Sequence, residues 1–99
     1  MKYEINEDGN TVTVIAYTGN LIQQLNIPET ITSNNKTFTV TAIKENAFRL
    51  LGTLRNVDIP DTVTTIGNYA FYSAVNLGNI VIGEGIQMIG TWSFYNSSI

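Results

Sequence analysis

Apolar residues return along the second half of this chain every 23 positions. Ile43, Ile66 and Ile89 keep that spacing, and so do Phe48, Phe71 and Phe94. Leu54 and Leu77, Val57 and Ile80, Ile59 and Ile82, and Val63 and Ile86 follow it too. Ala47 and Ala70 match, with Ser93 in the third place. Gly67 and Gly90 follow the second and third Ile, where the first unit has Lys44. So many columns in register mark a repeat architecture, whose units cannot bury their apolar faces alone and stack on one another. A side chain in one coil then meets its counterpart in the next, and a continuous core results.

Each unit reads as two extended pieces and one compact turn. Leu54 to Pro60 ends in an alternating Val57-x-Ile59, a short strand signal. Pro60 has no N–H to give to a ladder and helps end the strand. Val63 to Gly67 is a second β-rich piece. Asn68 to Ala74 lacks strand alternation, and Asn68 is placed as a helix N-cap, so one or two helical or 3-10 turns are expected there. The expected fold is therefore an α/β solenoid, mostly β, with short helical or 3-10 segments on its outer face.

Residues 1–42 break the period. Tyr3 and Ile5 alternate, Glu7 to Asn10 is turn-like, and Val12, Val14 and Ala16 alternate again. Asp8-Gly9 predicts a type I′ hairpin that pairs Ile5 with Val12 and Tyr3 with Val14. Leu25 to Ile31 then copies Val57 to Val63. Nine residues are inserted before Ile43, around Asn34-Asn35, followed by the strand-like Thr37 to Thr41. An N-terminal β-hairpin cap and an irregular first coil are expected over 1–42, with 23-residue repeats over 43–99, the last incomplete. All of 1–99 forms a single domain on this reading.

Composition narrows the chemistry. The chain has 99 residues, no Cys and no His. Disulfides, thiol nucleophiles, histidine bases and zinc sites built from those ligands are thereby excluded. Net charge is −3, and the five basic residues are scattered, so no nucleic-acid footprint is present. No apolar run approaches the ~20 residues of a membrane-spanning helix, so no membrane insertion is expected. Met1-Lys2 leads straight into strand-like sequence, and no signal peptide is expected in this chain. No cofactor is expected.

The pattern of Leu54, Val57, Ile59, Pro60, Val63, Ile66, Gly67, Ala70 and Phe71 resembles the BspA-like, or Treponema pallidum-type, leucine-rich repeat. Val12 to Val14, Tyr17 to Gly19, Ile27-Pro28 and Phe38 to Ile43 are similar to that family's opening segment. Two places depart from it. Leu51, Ala74 and Ser97 stand where the family often has Cys, and Gly83 stands where the preceding unit has Pro60. The resemblance implies bacterial proteins that are secreted or on the cell surface, with adhesion and protein binding as their roles. It brings no catalytic residues, so no enzyme is expected.

In such repeats the variable strand residues point outward from the concave face. Here they form two columns: Gln24, Asn56 and Asn79, then Asn26, Asp58 and Val81. This polar ladder could bond a protein or glycan partner, or its amides could simply bond one another and water. Tyr69 and Trp92 share a column on the compact segments, and Tyr72 and Tyr95 share another. Exposed Tyr and Trp suit binding surfaces, though they equally shield the outer edge of a core with polar tips wet. Asp58 and Asp61 lie near each other, and two carboxyls ~5 Å apart could serve a retaining glycosidase. A Pro turn and surface polarity explain them as well. Asn35-Lys36-Thr37 and Asn96-Ser97-Ser98 match a glycosylation sequon, as expected by chance in a chain with twelve Asn.

Size weighs on the binding reading. Three strands ~4.8 Å apart and ~17 Å long offer only about 250 Å², against ~800 Å² per partner in a standard interface. The expectation is a surface binding module that uses other faces as well, or else a purely structural piece of a longer array. Apolar columns on the last coil are expected to pack against something, either a further repeat in a longer parent or, by self-association through the C-terminal coil, a second copy end to end.

Overall fold

The spacing of apolar residues is realised as coils that stack strand on strand. The structure is a computed structural model and describes residues 1–17 and 21–99. Strands β3 (Gln24–Asn26), β6 (Asn56–Ile59) and β8 (Asn79–Ile82) pair in parallel, in that order. On the other side of each coil lie β1 (Lys2–Ile5), β2 (Thr11–Ala16), β5 (Lys36–Ile43), β7 (Thr65–Ile66) and β9 (Met88–Ile89), again paired in that order. A further strand, β4 (Thr30–Ser33), pairs antiparallel with the start of β5. The Thr18-Gly19 part of the opening segment lies outside the described residues.

Between the two sheets the predicted columns meet. Ile43 pairs with Ile66 and Ile66 with Ile89, while Val57 pairs with Ile80 and Ile59 with Ile82. Phe48, Phe71 and Phe94 stack with ring centroids 5.2 and 5.3 Å apart. Burial runs unbroken from Val12 and Val14 through Leu25, Val40, Phe48 and Val57 to Phe71 and Leu77. Burying a Val, Leu, Ile or Phe side chain is worth ~1.5–3 kcal/mol, and stacking allows a thin coil to bury several of them.

The helical segments expected over 68–74 and its equivalents are not formed; among the described residues there is no helix. Asn68 is not a helix N-cap, because its Oδ1 accepts the Thr91 N–H of the next coil at 2.8 Å. The compact segments are runs of turns in which alternate N–H groups have different destinations. Those of Ala70, Tyr72 and Ala74 bond carbonyls three residues back, whereas those of Tyr69, Phe71 and Ser73 bond Thr91, Ser93 and Tyr95 of the next coil. An α-helix would keep all of these donors inside the segment. Turning every second donor outward puts Tyr69, Ser73, Trp92 and Asn96 at φ of 60°, 55°, 60° and 60°, a region that costs a non-glycine residue roughly 1–2 kcal/mol. The hydrogen bonds between coils offset that cost.

Close approach of successive coils explains the glycine column. A Cβ on Gly67 would lie 2.5 Å from the Glu45 backbone N and 2.8 Å from the Lys44 carbonyl carbon. Lys44 escapes this constraint because it precedes them in the stack, where its N–H donates to Val14 O. The departure at Gly83 has the same cause, since a Cβ there would meet the Pro60 carbonyl carbon and the Asp61 N at 2.5 Å.

At the N-terminal end, Ile5 pairs with Val12 and Tyr3 with Val14, as the alternation predicted. The turn differs from expectation. Only Gly9 has positive φ there, 70°, and its N–H bonds Asn6 O. The Asp8 carboxylate instead accepts the N–H groups of Asn10 and Thr11, at 2.8 and 2.9 Å, and the Thr11 hydroxyl. The turn with two positive φ values falls in the insertion, at Asn34 (52°) and Asn35 (63°), which join β4 to β5. Such values at both central residues define a type I′ hairpin, which Asn tolerates.

Candidate functional site

Strand pairing sets the outward side chains of β3, β6 and β8 in register. Gln24 lies beside Asn56 and Asn56 beside Asn79; Asn26 lies beside Asp58 and Asp58 beside Val81. Alternation along a strand sends these to solvent while Leu25, Val57 and Ile59 go to the core. Asp58, Asn79 and Val81 are exposed, and Asn56 is half-buried. The expected ladder is therefore assembled, and much of it is bonded internally. Asn79 Nδ2 donates to Asn56 Oδ1 at 3.0 Å, and Gln24 Nε2 donates to Asn26 Oδ1 at 3.0 Å. Asp58 and Val81 interrupt the amides at the ladder's second column.

The aromatic side chains form a second strip, along the compact turns. Tyr72 and Tyr95 stack at 5.3 Å, Tyr69 meets Tyr72 edge-on at 5.5 Å, and Trp92 meets Tyr95 edge-on at 4.5 Å. Tyr69 and Tyr72 are half-buried, while Trp92 and Tyr95 are each 50 % exposed. The left-handed φ at Tyr69 and Trp92 turns these side chains out of the coil. Arg49 completes the strip, with its guanidinium 4.8 Å from the Tyr72 ring centre and 5.4 Å from that of Tyr69. Such cation–π contacts are worth about 0.5–1 kcal/mol at exposed sites. Sequence reading passed over Arg49, although it sits 23 positions before Tyr72 and so shared the column of Tyr72 and Tyr95.

The acidic side chains take other roles. Asp61 Oδ1 accepts the Glu84 N–H at 2.8 Å, tying one coil to the next, and Asp58 stands on the exposed ladder. Among the described residues no three His, Cys, Asp or Glu side chains gather, and no cavity opens. What the surface offers is a periodic array: amides and a carboxylate along one sheet, aromatic rings and a guanidinium along the turns.

A sequence model described as BspA type Leucine rich repeat region (6 copies) matches residues 41–99, more than half of the chain. The chain belongs to the BspA type leucine-rich repeat family. Among solved structures, this leucine-rich repeat chain is similar to a leucine rich cell surface protein from Faecalibacterium prausnitzii A2-165, with 33% identity and a TM-score of 0.85, over 95% of this chain and 26% of that one. It is also similar to a leucine-rich repeat protein from Bacteroides capillosus ATCC 29799, with 31% identity and a TM-score of 0.82, over 93% of this chain and 67% of that one. A T. pallidum leucine rich repeat protein shares the fold at 23% identity, with a TM-score of 0.87 over 96% of this chain and 42% of that one. The chain spans about a quarter of the length of the Faecalibacterium protein. No curated protein matches it.

Proposed function

We propose that this leucine-rich repeat chain is a binding module of a bacterial surface or secreted protein, and that it works by contact with a protein or glycan and not by catalysis. The carrying observation is the in-register ladder of Gln24, Asn56 and Asn79 beside Asn26, Asp58 and Val81. Stacked strands hold these groups about 4.8 Å apart across coils, so their directions are set before a partner arrives and little ordering cost remains to be met on binding. The likeness to the Faecalibacterium cell surface protein supports a surface location. The aromatic strip of Tyr69, Tyr72, Trp92 and Tyr95 adds the residue types that dominate contact energies. Residues 1–99 act as one domain on this reading. The N-terminal hairpin serves as its cap, in keeping with the burial of its own Val12 and Val14 against the core.

A purely structural role is the second reading, and the Asn79 to Asn56 hydrogen bond favours it, since amides that satisfy one another have less to offer a ligand. A binding screen against glycan arrays and extracellular host proteins separates the two. The module reading expects at least one ligand whose binding falls with Asn56→Ala or Asp58→Ala while the fold is kept. A ligand that ignores those two changes but is lost with Tyr72→Ala or Trp92→Ala moves the contact to the aromatic strip. If no ligand is found and neither set of changes alters any interaction, the structural reading stands.

A further inference from the structure

The strip of turns carries a single cation and leaves it without an anion. Arg49 is exposed, and its guanidinium stands 4.8 Å from the Tyr72 ring centre and 5.4 Å from that of Tyr69. Those two rings meet edge-on at 5.5 Å, so the cation rests against both. Stacking occupies the flat faces of a guanidinium and leaves its N–H groups, which lie in the plane, directed to the sides. Among the described residues one of these donors is engaged, Nη1 with Asn46 Oδ1 at 3.3 Å. No carboxylate of the described residues comes within 4.0 Å of it; the ion pair they form joins Lys44 to Glu4. The setting lies inside the stack. The N–H groups of Asn46, Phe48 and Leu50 bond the coil that holds Tyr69 and Tyr72, and those of Tyr69, Phe71 and Ser73 bond the coil after it. A further coil therefore covers each of these residues, and what remains open is the lateral turn face.

We propose that this face binds a sugar bearing one carboxylate, such as a uronic or sialic acid unit of a glycan, with Arg49 holding the carboxylate and Tyr69 and Tyr72 lining the ring beside it. The inference rests on the binding-module reading and names its ligand. Charge selects the anion. The counterparts of Arg49 one and two repeats on are Tyr72 and Tyr95, and the neighbouring column holds Asn46, Tyr69 and Trp92, all uncharged. A cation amid neutral groups suits an anion, and a carboxylate takes two parallel N–H bonds from the edge of a guanidinium. One cation on a chain of net charge −3 suits one carboxylate and disfavours a dense polyanion such as a sulfated polysaccharide or a nucleic acid. Shape selects the sugar. No cavity opens among the described residues, so the face offers no hole for the anchoring side chain that a peptide inserts. A sugar ring instead lies against aromatic groups through its C–H face. The phenols of Tyr69 and Tyr72 and the amide of Asn46 add groups that both donate and accept, as sugar hydroxyls require. Stacking also fixes the guanidinium before the ligand arrives, so less side-chain freedom is lost on binding.

The test titrates the isotope-labelled chain with two acidic sugars, sialyllactose and cellobiouronic acid, and with their uncharged counterparts lactose and cellobiose, following backbone amide shifts. The expected Kd for an acidic sugar is on the order of 1 mM, as one exposed charged pair and one ring contact allow. The shifts gather at Asn46 to Leu50 and at Tyr69 to Ser73. The uncharged counterpart binds at least about tenfold more weakly, since it lacks the charge-assisted pair. Arg49→Gln, at an exposed position, keeps the circular dichroism spectrum and lowers the affinity for the acidic sugar to that of its counterpart. Arg55→Gln removes the same charge from another exposed position and leaves binding unchanged. Equal binding of the acidic and uncharged sugars overturns the proposal. So does an equal loss with Arg55→Gln, which would make the effect one of net charge. A capped glutamate peptide that binds as tightly as the acidic sugar makes the occupant a peptide and overturns it too. Should no sugar bind, this inference falls. The module reading falls with it only if the wider screen of proteins and glycans also yields no ligand.

Discussion

Replacing Phe71 by alanine removes the middle ring of a three-ring stack. Its neighbours Phe48 and Phe94 lie 5.2 and 5.3 Å away, nearly parallel to it, and Phe71 has no exposed surface. Loss of a buried Phe costs about 3–5 kcal/mol, including the cavity left behind. The cavity has little means of collapse, because the backbones above and below are held by hydrogen bonds from Phe48 to Ala70 and from Phe71 to Ser93. Whole-domain stability is expected at about 5–15 kcal/mol, so most of it is at stake. At ~4–8 °C per kcal/mol for a chain of this size, the melting midpoint should fall by at least about 12 °C. Phe94→Ala is the internal comparison. Phe94 is half-buried on the open coil, so roughly half the loss, about 2 kcal/mol, is expected there. Thermal and urea melts of both variants, followed by far-ultraviolet circular dichroism, measure the difference. Phe71→Leu serves as the milder change if the alanine variant is unfolded at the outset. Equal losses at the two positions, or a loss below about 1 kcal/mol at Phe71, would refute the claim that the column is closed in the middle and open at its end.

Gly67→Ala should destabilise the chain by about 1–3 kcal/mol, since the new methyl group forces the Lys44–Glu45 backbone away; a neutral result in urea melts would mean that the coils are not in such close contact. Asn79→Ala breaks one exposed amide pair and should cost under about 1 kcal/mol; a larger loss by the same melts would make that amide structural. The Asp8 carboxyl is held below its ordinary pKa, first by the N–H groups of Asn10 and Thr11 and then by the Thr11 hydroxyl. The folded-state pKa is therefore the lower one, and the contribution is present above the ordinary carboxyl range and fades as pH falls below about 4. Protection of the β1–β2 turn amides relative to their intrinsic exchange rates should fall over that interval in the wild type and stay flat in Asp8→Asn; equal profiles would remove Asp8 from the turn.

Several features of the fold could be read along the chain because their cause repeats along the chain. Val57 and Ile59 pointing inward, with Asn56 and Asp58 outward, follows from two-residue alternation, and strand pairing placed Asn79 and Val81 beside them as the 23-residue spacing required. The stack of Phe48, Phe71 and Phe94 follows from the same spacing. Arg49 was legible in principle, since it shares that spacing with Tyr72 and Tyr95, but a cation in an aromatic column gives no apolar signal. The hairpins were half legible. Alternation fixed which residues pair, while Asp-Gly at 8–9 misled about the turn, because hydrogen bonds from Asn10 and Thr11 to the Asp8 carboxylate favour a different backbone.

By itself, the order of residues determined the repeat, its core columns, the phase of each strand and the family to which the chain belongs. All four depend on which residues recur at a fixed interval, and stacking turns that interval directly into contact. Tertiary structure alone decided the shape of the compact segments and how far each member of a core column is covered. Asn68 to Ala74 has the local makeup of a helical turn, but the acceptors for Tyr69, Phe71 and Ser73 sit in the next coil, beyond any local window. For the same reason Phe94 and Ile89 carry the residue types of buried positions and remain partly open. Burial belongs to what lies across from a side chain, and in a stack of coils that neighbour is a whole repeat away.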